Sequence, residues 1–402
     1  MRPLARLSIA AVLAASLFTF AHAGAQLERG RELVIAGDCR TCHTAPSHPE
    51  KPFAGGFALH AYFGTVYSPN ITPDAQTGIG KWTADQFWHA MHDGIDDEGA
   101  HLYPAFPYVY FAHLSRADIE AIFAYLHTLK PIHNVTPTNR LIFPADMRWV
   151  VAVWDWLFLD KSPLPSDPSR SAEWNRGYRL VNGVGHCSGC HTPKNFLFVD
   201  EGGRRLQGAT LDGWYAPNLT PAPGSAFVKW NAGDIVRFLA TGENRFGRAV
   251  GSMKDVVGNS TSKMSDADRK AIAVYLKSLP PGPARTPAAP AQAQMDAGRG
   301  VFERNCSACH EHPEQGYPDL GRHNTAVDTR DPITLVRVIL QGSQSLALPG
   351  HKIGLSMPSF ASLSDKDVAD VASFLRHHEG NAQGPVGPGQ VKTIRALIMA
   401  PR

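Results

Sequence analysis

The sequence predicts a mainly α-helical chain made of three tandem copies of one small domain joined by proline-rich linkers. Three observations predict it. The pentapeptide Cys-x-x-Cys-His occurs at Cys39 to His43, Cys187 to His191 and Cys306 to His310, and these copies use every cysteine in the chain. Each copy is flanked by the same helical signals, a glycine-bearing stretch before it and a serine-capped apolar stretch after it. Proline and glycine cluster between the copies, where linkers belong.

The first element is a leader. Arg2 and Arg6 precede an apolar run from Leu7 to Phe20 that ends in Ala21-His22-Ala23, the pattern of a secretory signal peptide over residues 1–23, with cleavage after Ala23 or Ala25. The run is about 14 residues, short of the roughly 20 that a bilayer span needs. The expected location is therefore the periplasm, with peripheral contact to the cytoplasmic membrane. The chain carries 39 basic and 36 acidic residues, a formal net charge of +3, which gives no footprint for nucleic acid.

Each Cys-x-x-Cys-His can hold a covalent haem. Two thiols three positions apart can each form a thioether to a haem vinyl group, and the adjacent histidine then becomes an axial iron ligand. One such pentapeptide alone could be a zinc or redox motif; three, with no cysteine left over, argue for three covalently bound haem c groups. Cys39, Cys42, Cys187, Cys190, Cys306 and Cys309 are the attachment residues, and His43, His191 and His310 the first iron ligands.

The linkers are Lys161-Ser162-Pro163-Leu164-Pro165-Ser166-Asp167-Pro168 and Pro280-Pro281-Gly282-Pro283 running on through Pro287 and Pro290. They delimit domains at 26–160, 171–279 and 295–380. In each, a helix before the haem motif carries a glycine and an aliphatic residue three later: Gly30 with Leu33, Gly177 with Leu180, Gly298 with Val301. Small residues there let two helices cross closely. Each domain closes on a helix opened by Ser115-Arg116-Ala117-Asp118, Ser265-Asp266-Ala267-Asp268 or Ser364-Asp365-Lys366-Asp367, whose hydroxyl can satisfy a free backbone N–H. Ile119, Ile122, Phe123 and Leu126 follow at helical spacing in the first, Ile272, Tyr275 and Leu276 in the second, and Val368, Val371, Phe374 and Leu375 in the third. A glycine-bearing first helix packed on an apolar last helix, with haem between them, is a cytochrome c-like arrangement.

The first two domains also share Pro69-Asn70-Ile71-Thr72 and Pro217-Asn218-Leu219-Thr220, then Lys81-Trp82 and Lys229-Trp230, then a second amphipathic stretch opening at Phe87 and at Ile235. These read as haem-pocket loop and packing rather than substrate contacts.

A sixth ligand decides whether a haem is closed. Methionine thioether opposite histidine gives a closed, high-potential site. Met253, eleven residues after Gly242, is the candidate in the second domain; Met264, immediately before the capping serine, reads as packing. Met357, in Ser356-Met357-Pro358, is the candidate in the third. The first domain breaks the pattern, because Leu102-Tyr103-Pro104-Ala105-Phe106-Pro107-Tyr108 puts Phe106 twelve residues after Gly94, where methionine is expected. Phenylalanine cannot ligate iron. His113, Met91, His92, His101 or an open position are the alternatives, and spacing alone selects none of them.

The chain resembles the three-haem cytochrome c subunits of periplasmic, membrane-associated dehydrogenases for alcohols, gluconate, sorbitol and aldehydes. The resemblance covers residues 27–380 and is carried by Tyr67-Ser68-Pro69-Asn70-Ile71-Thr72-Pro73-Asp74, Gly78-Ile79-Gly80-Lys81-Trp82-Thr83, Asn139-Arg140-Leu141-Ile142-Phe143-Pro144, Gly183-Val184-Gly185-His186-Cys187 and His191-Thr192-Pro193. In that family the first haem takes its methionine from Tyr-Pro-Ala-Met-Pro-Tyr, so Phe106 is a departure; the phenylalanine version looks more like cytochrome subunits serving molybdenum-containing hydroxylases. The resemblance implies a subunit that takes electrons from a separate catalytic dehydrogenase chain bearing a quinone, flavin or molybdenum cofactor. It would pass them to membrane quinone or a terminal oxidase.

The chain has no Gly-x-Gly-x-x-Gly fingerprint opening a strand-to-helix unit and no nucleophile–base arrangement, so no catalytic residue is assigned and substrate oxidation is expected on the partner. Two rival classes stand beside this reading: a haem enzyme or gas- or peroxide-binding protein using an open first haem, and a free soluble electron shuttle. Two apolar stretches are candidates for contact with a membrane or partner. The tail Val391 to Met399 reads equally as a membrane contact or a docked terminal helix, and Arg148 to Leu159, with Trp149, Trp154, Trp156 and Phe158, reads as packing between domains ahead of partner docking.

Overall fold

A computed structural model describes residues 23–61, 63–223, 225–284, 286–321, 324–348 and 355–399. The expected signal peptide lies outside the described residues, apart from its final Ala23. The chain divides into two compact units, one running to Pro165 and including Gly183–Gly185, the other comprising Ser166–Asn182 and His186 onward. The division at Pro165 falls inside the first proline-rich stretch; the second, around Pro280, lies within the second unit.

The first unit opens with helix α1 (residues 23–36). Helix α2 (Ala84–Asp93) starts at a capping box, in which Thr83 accepts from the Gln86 N–H and the Gln86 side chain reaches back to Thr83, and it stops at Gly94 in the left-handed region. Helix α3 (Arg116–Leu126) is capped by Ser115, whose hydroxyl accepts from the Asp118 N–H at 3.1 Å, as the Ser-x-x-Asp signature predicts. Its Ile119, Ala121, Ile122 and Leu126 are buried. Strands β1 (Ala58–Ala61), β2 (Gly64–Tyr67) and β3 (Arg140–Leu141) form a small antiparallel sheet, with Ala58 opposite Tyr67 and Thr65 opposite Arg140. Helix α4 (Arg148–Phe158) follows β3.

The second unit holds two helix pairs of the same design. Helix α5 (Ala172–Asn182) packs on α8 (Asp266–Lys277), with α6 (Ala232–Thr241) and α7 (Ser252–Asn259) between them in sequence. Strands β4 (Ala209–Leu211) and β5 (Trp214–Ala216) form one hairpin, β6 (Glu243–Asn244) and β7 (Gly247–Arg248) another. Helix α9 (Gln292–Asn305) packs on α11 (Asp365–His377), with α10 (Ile333–Gln341) and the terminal α12 (Pro388–Met399) against them. Ser265 and Ser364 cap α8 and α11, each accepting an N–H at 3.1 Å.

All three crossings place glycine against backbone. A Cβ on Gly30 would stand 2.0 Å from the Ala121 carbonyl oxygen, one on Gly177 2.0 Å from that of Ala271, and one on Gly298 2.2 Å from that of Asp370. An arginine reaches across the first two crossings, Arg29 to Asp118 at 2.8 Å and Arg176 to Asp268. The C-terminal tail is a docked helix: Val391 and Ile394 are buried in the core beside Val371 and Phe374, and Arg395 bonds Asp365 at 2.8 Å and the Ala361 and Leu363 carbonyls.

Candidate haem-attachment sites and their histidines

Each cysteine pair lies on or beside a single helical turn: Cys39–Cys42, Ser188–His191 following Cys187, and Ser307–His310 following Cys306. Three residues on one turn bring both sulfurs and the histidine to one side. In the first two motifs the residue before the first cysteine, Asp38 (φ 49°) and His186 (φ 37°), takes the left-handed conformation that turns the chain into the motif. Asp38 is steadied there by the Thr41 hydroxyl, which donates to its carboxylate at 2.7 Å.

Every motif histidine has its Nδ1 on a proline carbonyl: His43 to Pro69 at 2.8 Å, His191 to Pro217 at 2.7 Å, and His310 to Pro318 at 3.0 Å. A carbonyl only accepts, so Nδ1 carries the proton and Nε2 keeps its lone pair. That is the tautomer a metal ligand needs, with the ring held by a carbonyl behind it. The loops that present Pro69 and Pro217 are built alike. Asn70 Oδ1 accepts from the Thr72 N–H and Asn218 Oδ1 from the Thr220 N–H, while Gly55 donates to the His43 carbonyl and Gly208 to that of His191, each at 2.8 Å. The repeated Pro-Asn-x-Thr segments therefore act through the histidine. The Pro318 counterpart, only eight residues beyond His310 rather than 26, has no matching sequence signal.

Burial pushes the Cys39 and Cys187 thiols up to about 12 and the Cys306 thiol up to about 11, surroundings that suit uncharged sulfur such as a thioether. Burial likewise lowers the pKa of His43 and His191 and keeps them neutral, against the smaller opposing effect of the proline carbonyls. Among the described residues no three His, Cys, Asp or Glu side chains gather as a metal-binding cluster. Trp230 Nε1 and Ser188 Oγ are buried with no hydrogen-bond partner in the protein, which leaves polar atoms for a bound group that brings acceptors of its own.

The candidate sixth-ligand positions follow the helix caps. Gly242 (φ 77°) ends α6, the β6–β7 hairpin follows, the Ala249 N–H returns to the Gly242 carbonyl at 2.7 Å, and Met253 comes four residues later in the first turn of α7, half-buried. In the first unit Gly94 (φ 67°) ends α2, Ile95 pairs with His101, the Leu102 N–H returns to the Gly94 carbonyl at 2.7 Å, and Phe106 comes four residues later. Phe106 thus stands in the register of Met253. Met357 sits elsewhere in its loop, paired with Ser343 directly after the Gly342 cap, and packs against the buried core. Met264 is buried before its capping serine, as a packing residue would be.

The other candidates in the first unit are engaged at Nδ1 or buried. His101 bonds Asp155 at 2.6 Å, His92 bonds Asp93 at 2.8 Å and stacks on Trp88, His113 bonds the Ser162 carbonyl at 2.6 Å, and Met91 is buried on α2. Sequence reasoning missed Asp155. This carboxylate lies almost wholly buried on α4 and accepts from both His101 and the Tyr108 hydroxyl, each at 2.6 Å.

Comparison with known proteins agrees with this construction. Residues 27–130 match the family model described as cytochrome c, and residues 293–375 match that of cytochrome c oxidase, cbb3-type, subunit III. The chain is 41% identical over 366 residues to a nicotinate dehydrogenase subunit of Pseudomonas putida, covering 88% of this chain but only 30% of that longer protein. It is 34% identical to the fructose dehydrogenase cytochrome subunit of Gluconobacter japonicus, covering 92% of this chain and 82% of the relative. Against the cytochrome c subunit of the quinone alcohol dehydrogenase of Gluconobacter oxydans the identity is 36%, covering 97% and 87%. With haem-compatible cysteine turns, carbonyl-held histidines and matches along nearly its whole length, the chain belongs to the family of cytochrome c subunits of dehydrogenases.

Proposed function

We propose that the chain is a three-haem electron-transfer subunit that accepts electrons from a separate catalytic dehydrogenase subunit and delivers them to membrane quinone or a terminal oxidase. The observation that carries this reading is the threefold repeat of a Cys-x-x-Cys-His turn whose histidine is held at Nδ1 by a proline carbonyl. Haem c at each turn supplies reversible one-electron chemistry. Cys39 and Cys42, Cys187 and Cys190, and Cys306 and Cys309 would attach it, and His43, His191 and His310 would ligate its iron. Met253 and Met357 would supply thioether ligands at the second and third sites. The first site takes no ligand from the Phe106 position.

The chain's own contribution is rigidity and exclusion of water. The proline carbonyls fix tautomer and ring plane, and the glycine crossings and serine caps hold the helices around each site, so little has to rearrange when charge changes. The reading places the protein in the periplasm after removal of residues 1–23, with three cytochrome c-like domains at 26–160, 171–279 and 295–380. The partner's cofactor is a quinone, flavin or molybdenum centre.

The test is isolation of the native protein from solubilised membranes. Three haems per chain, and a larger subunit with its own cofactor in the same particle, are expected. Fewer than three haems, or a cytochrome that purifies alone, would overturn the reading. Carbon monoxide added to the reduced protein reports on the first site separately, since only a site open or weakly ligated on its sixth side changes its spectrum.

A further inference from the structure

The β4–β5 hairpin starts and ends on one histidine. The Gly208 N–H donates to the His191 carbonyl at 2.8 Å, and the Pro217 carbonyl accepts from His191 Nδ1 at 2.7 Å. Between these anchors the hairpin also reaches the segment that carries Met253. The half-buried Trp214 ring lies against Gly251, so closely that a Cβ on that glycine would stand 2.4 Å from a ring carbon. Gly251 (φ 56°) is the residue from which α7 starts, and Met253 follows two positions later. A glycine has no side chain with which to cap the helix, so the start of α7 is placed by packing, and the Trp214 ring is what it packs on.

The ring is itself held by α10, which packs with α11 and α12. Arg337, only 3% exposed, carries its guanidinium 4.2 Å from the Trp214 ring centroid and donates to the Gly213 carbonyl at 2.8 Å. Thr334, one turn earlier on the same face of α10, accepts from the Tyr215 N–H at 3.0 Å, and the Tyr215 side chain is buried in the core that α10 and α11 build. A helix 119 residues further along the chain thus clamps the hairpin that holds His191.

The first site lacks this brace as well as the methionine. Three residues before the proline that holds the histidine stands Val66 where the second site has Trp214. Two residues beyond the N–H that returns to the cap glycine stands Pro104 where the second has Gly251. Valine offers a cation no ring.

We propose that Trp214 and Arg337 are positioning residues for the second site: the guanidinium holds the ring, the ring holds the turn at Gly251, and that turn sets where Met253 presents its sulfur. This rests on the reading of Met253 as an iron ligand and adds what keeps it in place. Because α10 ends at Gly342, directly before the Ser343–Met357 pairing, one helix also ties the Met253 turn to the Met357 loop.

The test uses the full-length chain carrying its haems. Potentiometric titration, and the weak long-wavelength band of methionine-ligated ferric haem, are compared for the parent, Trp214→Ala, Arg337→Gln, Met253→Ala and the Trp214→Ala, Met253→Ala pair. Trp214→Ala and Arg337→Gln are each expected to lose most of the part of the band that Met253→Ala removes, and to lower the potential of the same haem. In the pair, Trp214→Ala is expected to add no shift to that of Met253→Ala, because the ligand it positions is gone; a ring that acted on the haem by its polarity alone would add one. Either single variant with the parent's band and potentials, or a further shift in the pair, would overturn the proposal. Trp214→Phe stands in if the alanine variant does not fold: it is expected to lose a smaller part of the band, and an unchanged band would count against the brace equally. Met253→Ala without effect would sink the ligand assignment and the brace together, whereas a Met253→Ala shift that neither the Trp214 nor the Arg337 variant reproduces would sink the brace alone.

Discussion

Gly177 lies against Ala271 so closely that a Cβ on the glycine would stand 2.0 Å from the alanine carbonyl oxygen and 2.9 Å from Tyr275 Cβ. The obstacle is helix backbone, which cannot turn aside as a flexible side chain could. Gly177→Ala is therefore expected to force α5 and α8 apart and to destabilise the second unit by about 3 kcal/mol, visible as a lower urea midpoint. Gly282, whose added Cβ would meet only side chains at 3.0 Å or more, is the control. An equal loss at both positions would contradict the crossing argument.

The shared register of Phe106 and Met253 gives a reciprocal experiment. Met253→Ala is expected to lower the potential of one haem by on the order of 100 mV, a fraction of the ≈ 0.8 V that axial ligands span, while leaving haem attachment intact. Phe106→Met is expected to raise the potential of a different haem by a similar amount. Potentiometric titration followed optically resolves the components. A Met253→Ala titration that overlays the parent curve would remove Met253 from the ligand set, and Met357→Ala tests the third site in the same way.

Much of this was readable from residue order because the signals are local. Ser115, Ser265 and Ser364 announce helix starts three residues before the N–H they bind, and Gly30, Gly177 and Gly298 mark crossings by their spacing from aliphatic neighbours. The repeated Pro-Asn-x-Thr was visible as a repeat, but its function was not. What matters is the proline carbonyl, a group every residue has, and only the fold aims it at His43 or His191. Asp155 was hidden for another reason. Its partners Tyr108 and His101 lie 47 and 54 positions away, and a single aspartate between two tryptophans reads as a solvent-facing residue. The aromatic run of α4 marks a limit of this kind of reading, because periodicity shows that a helix has an apolar stripe without showing what covers it, and Trp149 and Trp156 on that stripe are exposed. The docked tail resolves the opposite way: of its apolar residues, Val391 and Ile394 are covered by the core and Met399 is not.

Asp155 joins α4 to the Phe106 segment through two short bonds, and removal of the carboxylate would leave the wholly buried Tyr108 hydroxyl without an acceptor. Asp155→Ala is expected to cost on the order of 2–4 kcal/mol, and Tyr108→Phe less. In the double variant the losses should fall short of their sum, because both remove the same bond. Strict additivity in urea unfolding would mean that the two groups are not coupled.

The first unit also holds two carboxylates whose titrations bend its stability in opposite directions. Burial pushes Asp93 up, but hydrogen bonds from Lys161, His89 and His92 outweigh it and bring the carboxyl down to about 2. As pH falls below the ordinary aspartate value near 4, the unfolded chain takes up this proton first. Stability present above pH 4 is thus lost between about pH 4 and 2, by on the order of 1 kcal/mol after solvent screening of this partly exposed group. Asp155 runs the other way: burial raises its pKa against the bonds from Tyr108 and His101, so the folded protein holds the proton longer. Its contribution is greatest in acid and declines as pH rises above 4. Asp93→Asn should therefore flatten the acid limb of the stability–pH curve, and Asp155→Asn should flatten the decline on its other side. Urea midpoints measured from pH 2 to 7 for the parent and both variants would check the signs; an Asp93→Asn protein whose acid limb stays as steep as the parent's would show that this carboxylate is not what acid removes.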